Sequence, residues 1–156
     1  MNIEDVWAQI ERNPTCMLVD VDGGRLRARP MMAIPEQDAE TVWFITDEKS
    51  AKDDEISRNP MVCLTFSDSS QRSHLSMSGQ ASVVRDPAKL RDLWSPAMEA
   101  YFPDGPGDPS ALLLKVTPSQ AELWQADGTL SRTFKMAKAM VTKERPDLGE
   151  NAKFRM

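Results

Sequence analysis

Met17-Leu18-Val19-Asp20-Val21-Asp22-Gly23-Gly24-Arg25-Leu26-Arg27-Ala28-Arg29-Pro30 is the stretch, residues 17–30, from which the fold class is read. An apolar run leads through acidic residues into two adjacent glycines, and residues 25–34 then read as a second strand, so the segment predicts a β-hairpin with a glycine turn. Arg25, Arg27 and Arg29 alternate with Leu26 and Ala28. A strand period of two sets the three guanidiniums on one face. A guanidinium offers a planar fork of donors that suits a phosphate. The plainer alternative is an edge strand kept from pairing by charge and by Pro30.

Working outward, residues 2–12 predict an amphipathic helix over one barrel end, with Ile3, Val6, Trp7 and Ile10 at helical spacing until Asn13-Pro14. Strands are expected at 41–46, 61–67 and 74–84, with a charged helix at 50–58 that stops at Asn59-Pro60. Residues 86–101 read as helix broken at Ser95-Pro96, and 102–109 as a turn-rich loop. Strands at 112–116 and 121–124 and a helix at 132–143 follow, with a polar tail from about 144. The connections are mostly hairpin length. The chain therefore predicts a mainly β fold, a barrel of six or seven short strands with flanking helices, as one domain over 1–156.

Composition narrows the function classes. The 156 residues are 40% hydrophobic and 28% charged, which is ordinary globular composition. The longest apolar runs, such as 42–45 and 111–114, fall far short of the ~18 residues of a membrane span. The first residues carry acids where an export or transit signal carries bases, so a cytoplasmic protein is expected. A net charge of −5 argues against a duplex-binding protein. Cys16 and Cys63 sit among apolar neighbours without metal-ligand or redox spacing and read as buried free thiols. His74 is the sole histidine, which disfavours hydrolytic machinery built on a histidine base and leaves no metal site to propose.

Three further segments carry chemistry. Ser50-Ala51-Lys52 opens a helix, where backbone N–H groups, a hydroxyl and a cation suit an anion; a simple capping box from Ser50 to Asp53 is the alternative. Trp43-Phe44-Ile45-Thr46 ends a strand just before it, a suitable place to hold a flat ring, although core packing is the commoner use. Trp94 and Trp124 are candidates for ring contact or for burial.

Arg29-Pro30-Met31, Trp43-Phe44-Ile45-Thr46 with Ser50-Ala51-Lys52, Asn59-Pro60, Ser78-Gly79 and Leu93-Trp94 occur in an order that resembles the general stress protein branch of the pyridoxamine phosphate oxidase-like family. Tyr101-Phe102-Pro103-Asp104-Gly105, Asp108-Pro109, Lys115-Val116-Thr117-Pro118 and Ala121-Glu122-Leu123-Trp124 extend the resemblance to about residue 134. It implies a split barrel that forms a homodimer and binds FMN between the subunits. Arg29, Lys52 and Ser50 match the phosphate-binding positions, with Pro30, Met31 and Ala51 beside them, and Ile45 and Thr46 match a pair whose main chain approaches the flavin. Phe44 and Trp94 fall within the matched segments. His74 matches a position that reaches the cofactor from the second subunit, and Trp124 one that lies against it.

Two departures matter. The oxidases place an Arg-x-His group just after that tryptophan to hold their substrate, whereas this chain has Thr129-Leu130-Ser131, which argues against true pyridoxamine phosphate oxidase activity. Ala51 stands where those oxidases commonly carry an arginine, implying a weaker grip on phosphate. The expectation is a flavin-dependent oxidoreductase of unassigned substrate, with no side chain named as catalyst. The alternative is a non-catalytic protein that sequesters flavin or another planar ligand such as haem.

Overall fold

The computed structural model describes residues 1–48 and 56–156. Helix α1 (Ile3–Arg12) opens the chain, and Asn2 caps it: its side chain accepts from the Asp5 N–H while the Asp5 carboxylate accepts from the Asn2 N–H. This reciprocal cap satisfies two N–H groups that a helix start otherwise leaves without partners. Val6, Trp7 and Ile10 face inward, as their spacing predicts.

Strands β1 (Thr15–Asp22) and β2 (Arg25–Met32) form the expected hairpin. Gly23 and Gly24 take φ of +56° and +80°, a pair of left-handed conformations that a tight two-residue turn requires and glycine supplies without strain. Strand β3 (Ile34–Glu36) follows after a single residue, then β4 (Thr41–Asp47), β5 (Met61–Asp68) and β6 (Ser73–Val84). Helix α2 (Pro87–Leu93) and two 3₁₀ turns lead to β7 (Ala111–Ala126), and α3 (Thr129–Thr142) and β8 (Gly149–Arg155) end the chain.

Among the described residues eight strands pair antiparallel in one sheet, in the order β2-β1-β5-β6-β7-β4-β3, with β8 added on β7. The two ends of this path, β2 and β3, are consecutive in the chain and separated only by Ala33. The sheet must therefore curl until its ends approach, although no ladder joins them among the described residues. This is a split barrel, and its interior holds the main core: Leu18, Val42, Phe44, Leu64, Phe66, Leu75, Met77, Leu114 and Leu123, plugged by Val6, Trp7 and Ile10 of α1. A second cluster, Trp43, Leu90, Phe102, Ala111 and Leu113, lies on the outer face of β4 and β7, where α2 and the following loop cover it. Among the described residues no helix is long and apolar enough to cross a membrane.

The strand count exceeds the expected six or seven for two reasons. The supposed polar tail contains β8, an edge strand whose Ala152 and Phe154 turn inward while Glu150, Asn151, Lys153 and Arg155 stay exposed, so its composition reads as solvent-facing. β3 is too short to show a period. Conversely, the strands expected at 112–116 and 121–124 are one strand, because the ladder with β6 shifts register between Ser78 and Gly79 and passes Pro118 through the irregularity. Proline is tolerated at a bulge because the ladder there is already interrupted. Helix α3 begins three residues earlier than the sequence suggests. Of the helix expected over 50–58, residues 56–58 are helical and 50–55 lie outside the described residues.

Candidate functional site

The curl of the sheet creates the main candidate site. β2 and β4 are far apart in strand order, yet Pro30, Met31 and Met32 of β2 and Ile45, Thr46 and Asp47 of β4 line one cavity of about 330 Å³. Ile34 completes one side, and Met98, Tyr101 and Phe102 form the other. β3 pairs with β4 only at Thr41, Val42 and Trp43, so the ladder on that side stops short of Ile45 and the cavity lies beyond its end. Four residues singled out from the sequence, Pro30, Met31, Ile45 and Thr46, thus meet in space.

Two of their neighbours do not join them. Phe44 is completely buried in the barrel core: successive strand residues point to opposite faces, so a side chain between Trp43 and Ile45 must turn inward. The Phe44 side chain thus belongs to the barrel core and does not line the cavity. Trp94 stands behind the wall, with its ring 5.9 Å from that of Phe102, and its indole N–H finds no acceptor among the described residues. Trp43, on the cavity side of β4 but deeper, donates its indole N–H to Glu36 Oε2 at 2.7 Å, and Lys89 Nζ donates to Glu36 Oε1 at 2.6 Å. These bonds, those from Lys89 and then Trp43, hold the Glu36 carboxyl below its ordinary pKa and tie α2 to β3 and β4.

Arg29 lies immediately before Pro30 on β2 and donates to Asp20 Oδ2 at 2.6 Å. Asp20 is fully buried and the Arg29 side chain 17% exposed. Arg27 pairs in the same diagonal fashion with Asp22 at 3.1 Å. β2 is an edge of the sheet, so the guanidiniums stand at an edge as the plainer sequence reading has it, and Arg29 is held by the buried Asp20 carboxylate. Ser50, Ala51 and Lys52 lie outside the described residues.

His74 and Trp124 gather elsewhere. They are direct partners across β6 and β7, and the same transverse row includes Ser67 on β5 and Asn151 on β8. Directly opposed residues in antiparallel strands share a face, and this row is the exposed one, with Trp124 37% exposed. His74 Nδ1 lies 3.1 Å from Ser67 Oγ, and Asn151 Nδ2 donates to Glu122 Oε1 at 2.8 Å. The turn before His74 is fixed by Asp68, whose carboxylate accepts from the Ser70 hydroxyl at 2.6 Å and from the Ser70 and Gln71 N–H groups, which lowers its pKa. An open concavity here is lined by Arg72, His74, Trp124, Arg132 and Asn151.

Leu112 and Leu113, the partners of Thr46 and Ile45, are 12 and 11 residues from Trp124 along β7. At ~3.3 Å per residue the two sites lie ~40 Å apart along the strand. Sequence reasoning missed Met32, Ile34, Asp47 and Met98, which no local pattern marks, and Asn151, which only the unrecognised β8 brings into the row. Of the two cysteines, Cys16 is buried and burial pushes its thiol up to about 12; Cys63 is only half-buried, less than expected.

A split barrel with a largely apolar cavity at its seam, and an arginine one position before the cavity-lining stretch of β2, defines a class of small barrel proteins. Within it, the chain belongs to the pyridoxamine 5'-phosphate oxidase like family, whose model matches residues 1–147. It is 27% identical over 138 residues to general stress protein 26 of Bacillus subtilis, covering 81% of this chain and 93% of that protein. Among solved structures, a protein of Jannaschia sp. CCS1 assigned to general stress protein 26 superposes with a TM-score of 0.75 at 27% identity, covering 98% of this chain and 97% of the other. The general stress FMN/FAD binding protein of Xanthomonas citri superposes at 0.72 with 29% identity, covering 81% and 89%.

Proposed function

We propose that this chain is a cytoplasmic flavin-binding protein that works as a homodimer, with FMN held in the seam cavity of one subunit and capped by the exposed His74–Trp124 row of the other. The observation that carries the reading is the convergence of Pro30, Met31, Ile45 and Thr46 on one cavity. Its walls suit a flat, largely apolar ring: Met31, Ile34, Ile45, Met98 and Phe102 supply apolar contact, and strand ends supply main-chain polar groups. The guanidinium of Arg29, held by Asp20, suits the phosphate, and the resemblance adds Ser50 and Lys52, which lie outside the described residues. A cavity of about 330 Å³ is at the small end of ligand sites, which run roughly 300–1,000 Å³. A second subunit is the natural source of the missing wall, since His74 and Trp124 of the same chain lie at the other end of β7. That a 29% identical neighbour is described as FMN/FAD binding supports the same ligand class.

Bound FMN supplies hydride and single-electron chemistry, and the protein's share is to orient the ring, exclude water and anchor the phosphate. The reaction class we propose is a flavin-dependent oxidoreduction of a substrate other than pyridoxamine phosphate, given Thr129-Leu130-Ser131 in place of the oxidase Arg-x-His group. The test is titration of the purified protein with FMN, following flavin fluorescence and sedimentation together. Quenching that saturates at one FMN per subunit on a dimer is expected. A monomer, or a dimer that leaves the fluorescence unchanged, overturns the reading. The double variant Arg29→Lys/Lys52→Ala is expected to weaken FMN by about tenfold or more, because charge-assisted bonds contribute ~1.5–3 kcal/mol each.

A further inference from the structure

Helix α3 leaves β7 just past Trp124 and exposes a nearly continuous apolar side. Phe134 is 73% exposed, Met140 77% and Val141 83%, and with the exposed Ala137 they fall within about a third of the helix circumference. An amphipathic helix with its apolar side in water lacks the burial that ordinarily stabilises it. One flank carries the exposed Lys138, while Arg132 and Lys135 lie toward the opposite side of the helix. Lys135 donates to Asp127, which holds the start of the helix against the end of β7.

One surface on the molecule has the complementary character. Tyr101 is 78% exposed and Met32 48%, both on the rim of the seam cavity, and the flanking Glu99 and Asp104 are exposed acids. Within one chain α3 cannot reach this rim. Phe102 packs with Leu113 at the start of β7, whereas α3 departs from its far end. A 14-residue helix is only ~21 Å long, against ~40 Å of strand. Arg132 of α3 does line the concavity of His74 and Trp124, the face that meets the second subunit's cavity in the function proposed above.

We propose that α3 docks on a second copy of this chain, laying Phe134, Met140 and Val141 on the Met32–Tyr101 rim with Lys138 against Glu99 and Asp104. By two-fold symmetry each cavity is then walled by the partner's helix, and the contact occurs twice per dimer. The inference rests on the two-subunit reading of the site, but it concerns different residues. It also explains why a helix with this composition, set between β7 and β8, keeps its apolar side off its own sheet.

The test introduces Phe134→Cys and Tyr101→Cys together in a Cys63→Ser background and oxidises the protein. A covalent dimer on a non-reducing gel is expected from the double variant and not from either single one. An intrachain disulfide, or no disulfide, overturns the docking. Independently, Phe134→Asp/Val141→Asp changes only exposed positions, so the circular dichroism spectrum is expected to persist while the dimer dissociation constant rises at least about tenfold. Unchanged dimerisation refutes the inference. A dimer that binds FMN but fails both tests removes only the role of α3, whereas a monomer that binds no flavin removes the function as well.

Discussion

The two ends of β7 are built on different principles. At its start, Leu114 and Val116 face the barrel core while Ala111 and Leu113 face the second cluster under α2, so the strand is buried on both sides. At its end, Leu123 still faces the core, but Trp124 on the opposite face stands exposed beside His74 and Asn151. A doubly buried segment is a fixed wall, because close packing leaves each side chain few alternatives. The open end presents polar and aromatic groups with unused surface, which is the condition for meeting a ligand or another molecule. One strand thus joins a cavity formed within the chain to an exposed face.

The largest expected effect comes from cutting the closed end. Phe44→Ala removes a fully buried ring from the core and is expected to cost ~3–5 kcal/mol of unfolding free energy, read from urea denaturation. Trp124→Ala at the open end is expected to cost no more than about 2 kcal/mol. Equal losses would show that the two ends are not different in kind.

A smaller effect is expected at the junction. Gly79 sits where the ladder shifts register, and a Cβ there would lie 2.4 Å from the Thr117 carbonyl oxygen and 3.0 Å from the Pro118 Cα. Both are backbone atoms and cannot simply rotate aside. Gly79→Ala is expected to destabilise by about 1–3 kcal/mol, the usual range for overpacking. A variant with the wild-type denaturation midpoint would show that the bulge has room to relax.

The finest distinction is in pH response. Glu36, at the closed end, has its pKa held below the ordinary 4.5 by Lys89 and Trp43. Its contribution is complete above that ordinary value and is lost as pH falls through the lower folded value. Lys135, at the open end, is raised above 10.5, first by its hydrogen bond to Asp127. Its contribution is complete below that value and is lost as pH rises through the higher folded one. Melting temperatures of Glu36→Gln and wild type are therefore expected to converge in acid, and those of Lys135→Met and wild type in alkali. Convergence at the opposite extremes would contradict the assigned partners.

How much was legible follows the range of the interactions involved. Helix α1 and the β1–β2 hairpin were readable because their signals are local: apolar spacing with a cap in one, alternation with Gly23-Gly24 in the other. β7 was read as two strands because Thr117-Pro118-Ser119 looks like a turn, and only the absence of a side chain at Gly79, distant in sequence, lets the strand continue. β8 was hidden because an edge strand with one wet face needs few apolar residues. Resemblance singled out Pro30, Met31, Ile45 and Thr46, which meet at the cavity, but not that Phe44 turns into the core or that Met98 and Tyr101 complete the cavity.

By itself, then, the sequence determined a mainly β barrel, its N-terminal helix and hairpin, and the residue types available for a phosphate and a ring. Tertiary structure alone decided that Met31 and Ile45, far apart in strand order, share one cavity, and that His74 and Trp124 stand at the other end of β7. The reason is physical. A strand's period fixes which face a side chain takes, but the curl that brings one edge of the sheet to the other is a property of the whole sheet.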